Sequence, residues 1–452
     1  MKVFDIPASE IAMIRKINLL PQNDQTCGWI NQLEPRKQFS RLNKDKSVDW
    51  VVIGGGYTGL SFARRLAELK PDAKIIVVDA CAIGEGASAR NSGFAMANSS
   101  SGGAFDARKL GEYNRINRIN RAGIDILRGI VQKDRIDCQW RNIGKLNCGA
   151  EEATAKAADH LVEWLKASET EYEDLSSDDL SNRLGTSYYK RGIWTKGDVL
   201  LQPAALMRGL SRSLPDNVEL YEHSPVMNIT KSDGKIHLEC PEGTVVSDRL
   251  MLATNGYLHA MTPKPSYTVP LTLTGSLTRP LTEHEQASIG NPEDWGVLSL
   301  HGMGATVRYT QDHRILIRNT VAYKANTHHS NQEMLLSLNK HIECLRQRFP
   351  SLEDVGFADT WQGVLCISRN STSLFGEATK GIYAAGCYNA AGISRGTAFG
   401  HALADFAVGN ESDLINDIKE YPKPQWMPPR PILDIAMRSV VWGRKLNVGL
   451  DG

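Results

Sequence analysis

The chain has 452 residues, a formal net charge of +1, 41% hydrophobic and 23% charged residues. That length calls for about two domains with an ample core, and the balanced charge supplies no field favouring nucleic acid or an anionic membrane. The eight cysteines form no C-x-x-C and stand beside no histidine pair at zinc spacing, so reduced thiols in a cytoplasmic protein and no metal site are expected.

Residues 1–48 read as a polar leader, an arm lying over a domain surface. Its apolar stretch IAMI is cut by Arg15 and Lys16, so no signal peptide is expected. No later apolar run reaches the length of a transmembrane helix. Residues 51–60 read VVIGGGYTGL. Val51 to Ile53 form a short buried strand, and Gly54, Gly56 and Gly59 fit G-x-G-x-x-G. The first glycine permits the tight turn, the second lets a pyrophosphate approach the backbone, and the third lets the next helix pack closely. LSFARRLAEL has helical periodicity, so its N-terminus faces the phosphates. KIIVVD then ends in Asp79, twenty residues after Gly59 and placed for a ribose 2′-hydroxyl. Strand, glycines, helix, strand and acid in this order point to dinucleotide binding.

Residues 106–133 are helical, with Arg115, Arg118 and Arg121 on one flank awaiting solvent or carboxylates. Strands are expected over 138–148 and an amphipathic helix over 151–168, with Leu161, Trp164 and Leu165 inward. Gln202-Pro203 opens a helix within 200–214. VELYEHSPVMNIT and KIHLEC alternate as paired strands turning at Ser232-Asp-Gly, and LMLATNGY is a buried strand ending in a glycine loop. Residues 271–319 hold several strands, with a hairpin near Asp312. A helix follows over 331–349, GIYAAG is a buried strand, and helices are expected over 394–408 and in the tail. The fold class is therefore α/β, α+β overall, with a Rossmann-type domain interleaved with a strand-rich antiparallel one. The first takes residues 49–134, 201–262 and 372–412, the second 135–200 and 263–371, and 413–452 form a tail helix.

These segments together resemble the FAD-dependent amine oxidoreductases of the D-amino-acid oxidase and glycine oxidase superfamily. The likeness runs from Trp50 to about Asn410 and rests on VVIGGGYTGLSFARRLAE, GEGASARNSGF, YEHSPV, LATNGY and YAAGCYNAAGISRGTAFG. GASARNSG and ATNGY most resemble the gamma-glutamylputrescine oxidoreductase branch. The resemblance implies that Gly54, Gly56, Tyr57, Thr58 and Gly59 hold the FAD pyrophosphate, and Asp79 with Ala80 the adenosine ribose. Many relatives carry Glu at that acid. Gly86, Ala87, Ser88, Arg90, Asn91, Ser92 and Gly93 would line the pyrophosphate and flavin edge. Val226 would meet adenine through its backbone, and Ala253, Thr254 and Gly256 would approach the AMP half. Gly386, Asn389, Ala391, Gly392 and Ser394 would pass beneath the isoalloxazine. Cys366 lies roughly where the sarcosine oxidase branch places a cysteine joined to the flavin; its apolar flanks favour a buried, inert thiol and non-covalent FAD.

The implied chemistry is hydride transfer from the carbon beside an amine nitrogen to flavin N5, followed by imine hydrolysis, with oxygen, a quinone or another carrier as acceptor. Trp361, Tyr309, Arg308 and Tyr388 are the substrate-side candidates. Arg308 and Tyr309 adjoin on one strand, so only one can face the pocket. If Arg308 does, its loss should weaken binding of a substrate carboxylate by roughly 2–5 kcal/mol; a surface arginine is the alternative. His301 and His313 could relay protons or be structural. Two other readings stay open. One is a D-amino-acid or N-methyl-amino-acid dehydrogenase feeding a quinone, with the basic amphipathic tail touching a membrane. The other is a non-catalytic FAD-binding protein.

Overall fold

The computed structural model describes residues 15–22, 24–99, 103–262, 267–446 and 448–452. Residues 1–14 of the leader lie outside the described residues.

Two large sheets organise the chain. In the first, the strands Val218–Tyr221, Ile75–Val78, Lys46–Ile53, Gly243–Leu252 and Ile382–Gly386 run parallel in that order, and Leu374–Thr379 closes the edge antiparallel. Parallel strands covered on both faces need continuous apolar runs. All four residues of Ile75–Val78 are buried, as are Trp50 to Ile53. The hairpin Asn228–Ser232 and Lys235–Cys240 pairs with the first half of Gly243–Leu252 and peels away from the parallel core. The expected long strand through YEHSPV breaks at residues 222–227, where Glu222 turns its carboxylate inward to Arg36 and to the N–H groups of Phe39 and Ile83.

The second sheet runs Phe357–Ile367, Val269–Thr278, Ile315–Ala322, Thr306–Tyr309, Trp295–Ser299, Lys145–Gly149, Arg191–Thr195, Tyr172–Ser176. Only Trp295–Ser299 and Lys145–Gly149 pair parallel. The period-two alternation of its strands gives each face one job. Val307, Tyr309, Ile315 and Ile317 pack with Cys344 and Leu345 of the helix Asn331–Arg348 and with Phe349 just after it. Leu277, Leu316 and Trp361 join a core shared with helices of the first sheet.

Those helices are Tyr57–Leu69, Leu110–Lys133, Pro203–Arg212 and Ser394–Ala407. Arg115 and Arg118 of the second pair with Glu420 and Asp417 in the tail, and Arg121 donates to Asn98 Oδ1. The tail is two helices, Asp413–Lys419 and Ile432–Lys445, separated by a proline-rich segment. Leu433, Met437 and Val441 dock on Val269, Leu271, Val321 and Tyr323. The opposite side leaves Ile432, Ile435 and Trp442 60%, 67% and 65% exposed. No helix among the described residues is long and apolar enough to cross a membrane.

The leader departs most from expectation. Instead of lying over the surface, it sinks Cys27 and Trp29 to 0% exposure. Trp29 Nε1 donates to Asn91 O at 2.8 Å, Gln202 Nε2 donates to Trp29 O at 2.6 Å, and Asp24 pairs with Arg90 at 2.6 Å. The segment CGWI is apolar enough to bury, and its polar groups are met: the Trp29 carbonyl by Gln202, its indole N–H by Asn91 O, and the Cys27 carbonyl by the N–H groups of Ile30 and Asn31.

Candidate functional site

The site begins where the strand Lys46–Ile53 turns into the helix Tyr57–Leu69. Gly54 has φ +104°, and a Cβ there would lie 2.8 Å from Ala253 O. A Cβ on Gly59 would fall 1.9 Å from Gly54 O, so only glycine lets the helix start so close to the strand. Gly56 is different: the nearest atoms to its would-be Cβ are Ser88 Cβ and Oγ at 3.7 and 3.8 Å. Open space therefore lies ahead of this helix N-terminus, where Tyr57 and Thr58 begin its first turn. Asp79 accepts from Gly55 N at 2.8 Å and Cys81 N at 2.9 Å, and burial pushes its carboxyl pKa up. Ala80 is half-buried beside it. Val226 is buried, and among the described residues its N–H and C=O carry no hydrogen bond.

The loop 84–93 forms the next wall. Asn91 ties it to itself, donating to Ala87 O and Ser88 O and accepting from Gly93 N. Arg90 is committed to protein partners. It pairs with Asp24 and with Glu85 at 2.9 Å, and donates to Glu85 O and Gln362 O. Gly86 and Ala87 are exposed, and Ser92 is half-buried. Ala253, Thr254 and Gly256 form the rim beyond Gly243–Leu252, and Asn255 Oδ1 accepts from Cys387 N at 2.9 Å.

The C-terminal loop is held in sparsely populated backbone geometry. Cys387, Asn389 and Ala390 have φ of +64°, +48° and +75°. Strain of this kind persists only where surroundings enforce it and clusters at functional sites. Asn389 supplies the enforcement, accepting from Ser368 N and donating to Thr372 O and Cys387 O. Gly386 ends the strand before the loop, Ala391 is buried, and nothing lies within 4 Å of a Cβ on Gly392. The helix then begins at Ser394, whose Oγ donates to Met96 O. Ala390 is exposed, so Ala390→Gly is expected to stabilise the protein by about 0.5–1 kcal/mol. A thermal melt checks this; an unchanged or lower Tm would mean that the left-handed backbone carries no cost.

The substrate-side candidates separate. Trp361 is 1% exposed, donates to Arg90 O at 3.1 Å and meets Trp29 edge-on with centroids 6.4 Å apart. Arg308 shares its face and is no surface residue. It is 0% exposed, its Nη1 donates to Leu201 O and Ser92 O, and its guanidinium lies 5.3 Å from the Trp29 ring centroid. Its Nε and Nη2 are sealed without partners. Tyr309 points the other way, stacking on Trp295 with its hydroxyl on His313, and does not join this group. Tyr388 turns inward, its hydroxyl 2.8 Å from Thr58 Oγ1, and links the two cofactor-side helices. His301 and His313 sit in turns, where His301 Nδ1 accepts from Met303 N. Cys366 and Cys387 are buried neighbours, and burial raises the Cys387 thiol well above its usual pKa, with Cys366 adding to the shift.

The family described as FAD dependent oxidoreductase (DAO) matches residues 49–406. A probable oxidoreductase OrdL from Haemophilus influenzae is 27% identical over 391 residues, covering 83% of this chain and 86% of the relative. Gamma-glutamylputrescine oxidoreductase from Escherichia coli is 25% identical over 399 residues, covering 85% and 90%. Glycine oxidase from Geobacillus kaustophilus superposes with a TM-score of 0.67 at 16% identity, covering 81% of this chain and 96% of that one.

Proposed function

This chain belongs to the FAD-dependent oxidoreductase family, and we propose that it oxidises a small amine or amino acid of the gamma-glutamylputrescine type at the carbon next to nitrogen. The observation that carries the reading is the placement of Trp361. An aromatic wall from the second sheet is bonded to the loop 84–93, beside the cradle of the first sheet.

FAD fits the residues present. Gly54, Gly56 and Gly59 with the helix N-terminus would hold its pyrophosphate and Asp79 its ribose. The free N–H and C=O of Val226 would take the adenine edge. When bound, FAD supplies the hydride acceptor. The helix Ser394–Ala407 presents the positive end of its dipole where negative charge would build. Asn389 keeps the loop before it from collapsing. Trp361 and Trp29 exclude water from the wall. The burial of the two thiols supports non-covalent FAD. Acid precipitation is expected to leave a colourless pellet; a yellow pellet would point to Cys366.

His301 and His313 are held in turns and Tyr309 faces the opposite side of the sheet, so substrate deprotonation falls to the medium. Only the neutral amine has a lone pair to support the developing imine. Flavin reduction is therefore expected to accelerate with pH until the bound amine is deprotonated. Anaerobic mixing with a panel of amines at several pH values tests both statements. Bleaching by NADH but by no amine would overturn the reaction class, and a rate falling with pH would overturn the proton argument.

One observation favours a quinone as electron acceptor: the tail helix leaves Ile432, Ile435 and Trp442 exposed on one side. Reduction of a soluble quinone analogue by the amine-reduced protein, faster than its reaction with oxygen, would support that acceptor.

A further inference from the structure

Large apolar side chains on this surface are gathered in one place. Of the nine that stand most exposed among the described residues, seven lie between Trp426 and Leu450, and the other two are Leu335 and Leu336. Single exposed apolar residues need no explanation, but a cluster marks an interaction site. Helical spacing puts Ile432, Ile435, Trp442 and Leu446 in one stripe along the helix Ile432–Lys445 and its C-cap. The second sheet already occupies the inner side of that helix, through Leu433, Met437 and Val441.

The helix Asn331–Arg348 widens the patch. Its Glu333 lines one cleft with Tyr323 and the tail's Arg438. Burial, joined by the nearby Lys340, lowers the pKa of the Lys445 ammonium. Residues 333–340 therefore run beside 438–445, and Leu335 and Leu336 fall within that stretch.

The charge around the stripe has one sign. Lys423 to Leu446 hold five cations and one acid, in a chain of net charge +1. The acid, Asp434, is spent on Tyr323 and on Arg430 at 3.4 Å. Arg438 and Lys445 follow Ile435 and Trp442 by three residues, so they flank the stripe. Neither they nor Arg444 nor Lys340 has an acidic partner among the described residues. A second copy meeting this face across a two-fold axis would set these cations against each other. An anionic lipid surface answers both halves of the pattern. Acyl chains receive the apolar stripe, headgroup phosphates meet the cations, and tryptophan sits at the boundary.

We propose that this face docks on an anionic lipid bilayer, with the helix Ile432–Lys445 lying in the interface plane and Ile432, Ile435, Trp442 and Leu446 turned into the lipid. The inference stands apart from the amine chemistry. The inner side of the same helix packs with Leu365, on the strand that carries Trp361. Docking would thus bring the substrate wall within one helix diameter of the lipid, about 10 Å, which suits a lipid-borne electron acceptor.

The test is sedimentation of the FAD-loaded protein with vesicles of equal parts phosphatidylglycerol and phosphatidylcholine, compared with phosphatidylcholine alone. The parent is expected to bind the mixed vesicles at least ~10-fold more strongly and to be released by salt. Ile435→Ser combined with Trp442→Ser is expected to weaken partition at least ~30-fold. Arg438→Gln combined with Lys445→Gln is expected to weaken it about 10–30-fold. Flavin content and thermal melt should stay as in the parent. No binding of the parent to mixed vesicles, equal binding to both kinds, or parent-like binding in either double variant overturns the proposal. A parent that leaves the vesicles free but sediments as a dimer, dissociated by the serine pair, assigns the face to a second copy and also overturns it. If the serine pair does not fold, parent-like binding in the glutamine pair is decisive against it. The assay involves no turnover, so a failure to oxidise amines leaves the docking face standing.

Discussion

Gly56→Ala is expected to give a folded protein that purifies without colour, whereas Gly59→Ala is expected not to fold. The two glycines share one motif, but the physical demand on each differs. At Gly59 the added carbon would lie 1.9 Å from Gly54 O and 3.2 Å from Val52 Cγ1, a clash inside the protein itself. Gly56 has φ −85°, which any residue adopts, and its added carbon would meet protein only at 3.7 Å. The methyl would instead occupy the space where the helix N-terminus receives a pyrophosphate. Displacing two charge-assisted hydrogen bonds costs about 3–6 kcal/mol of cofactor binding. Visible absorbance per protein and a thermal melt of the apo form separate the two effects. Full flavin occupancy in Gly56→Ala, or a parent-like melt for Gly59→Ala, would contradict this division of labour.

Trp29→Ala is expected to destabilise the protein by about 3–5 kcal/mol, the range for deleting a buried large aromatic. The indole has 0% exposure, donates to Asn91 O, packs on Trp361 and lies under the Arg308 guanidinium. A residue on a surface arm would shift stability by no more than about 0.5 kcal/mol, so urea unfolding distinguishes the two sharply. Asp24→Asn should cost less, because Arg90 keeps Glu85.

The cofactor half of this molecule was readable because its geometry is local. Strand, turn, helix and acid lie within residues 46–79, and each glycine answers to a backbone atom close in sequence or in the adjacent strand. The substrate half was less so. Alternation correctly separated Arg308 from Tyr309 but did not say which faced inward; that depends on the helix Asn331–Arg348 covering the other side. Trp29 was missed because hydrophobic periodicity cannot register a four-residue segment whose partners are loops 62 and 173 positions away. Asn91, expected near the cofactor, spends its side chain on the loop itself, and Arg90 divides its own among Glu85, Asp24 and Gln362 O.

The buried leader also ties distant parts of the chain to one indole. Trp29 closes at once on the loop 84–93, on Gln202 and on Trp361. Contacts of such wide sequence separation carry a high closure entropy. Trimming or loosening residues 24–31 is therefore expected to loosen the second sheet and the loop 84–93 together, rather than one element at a time.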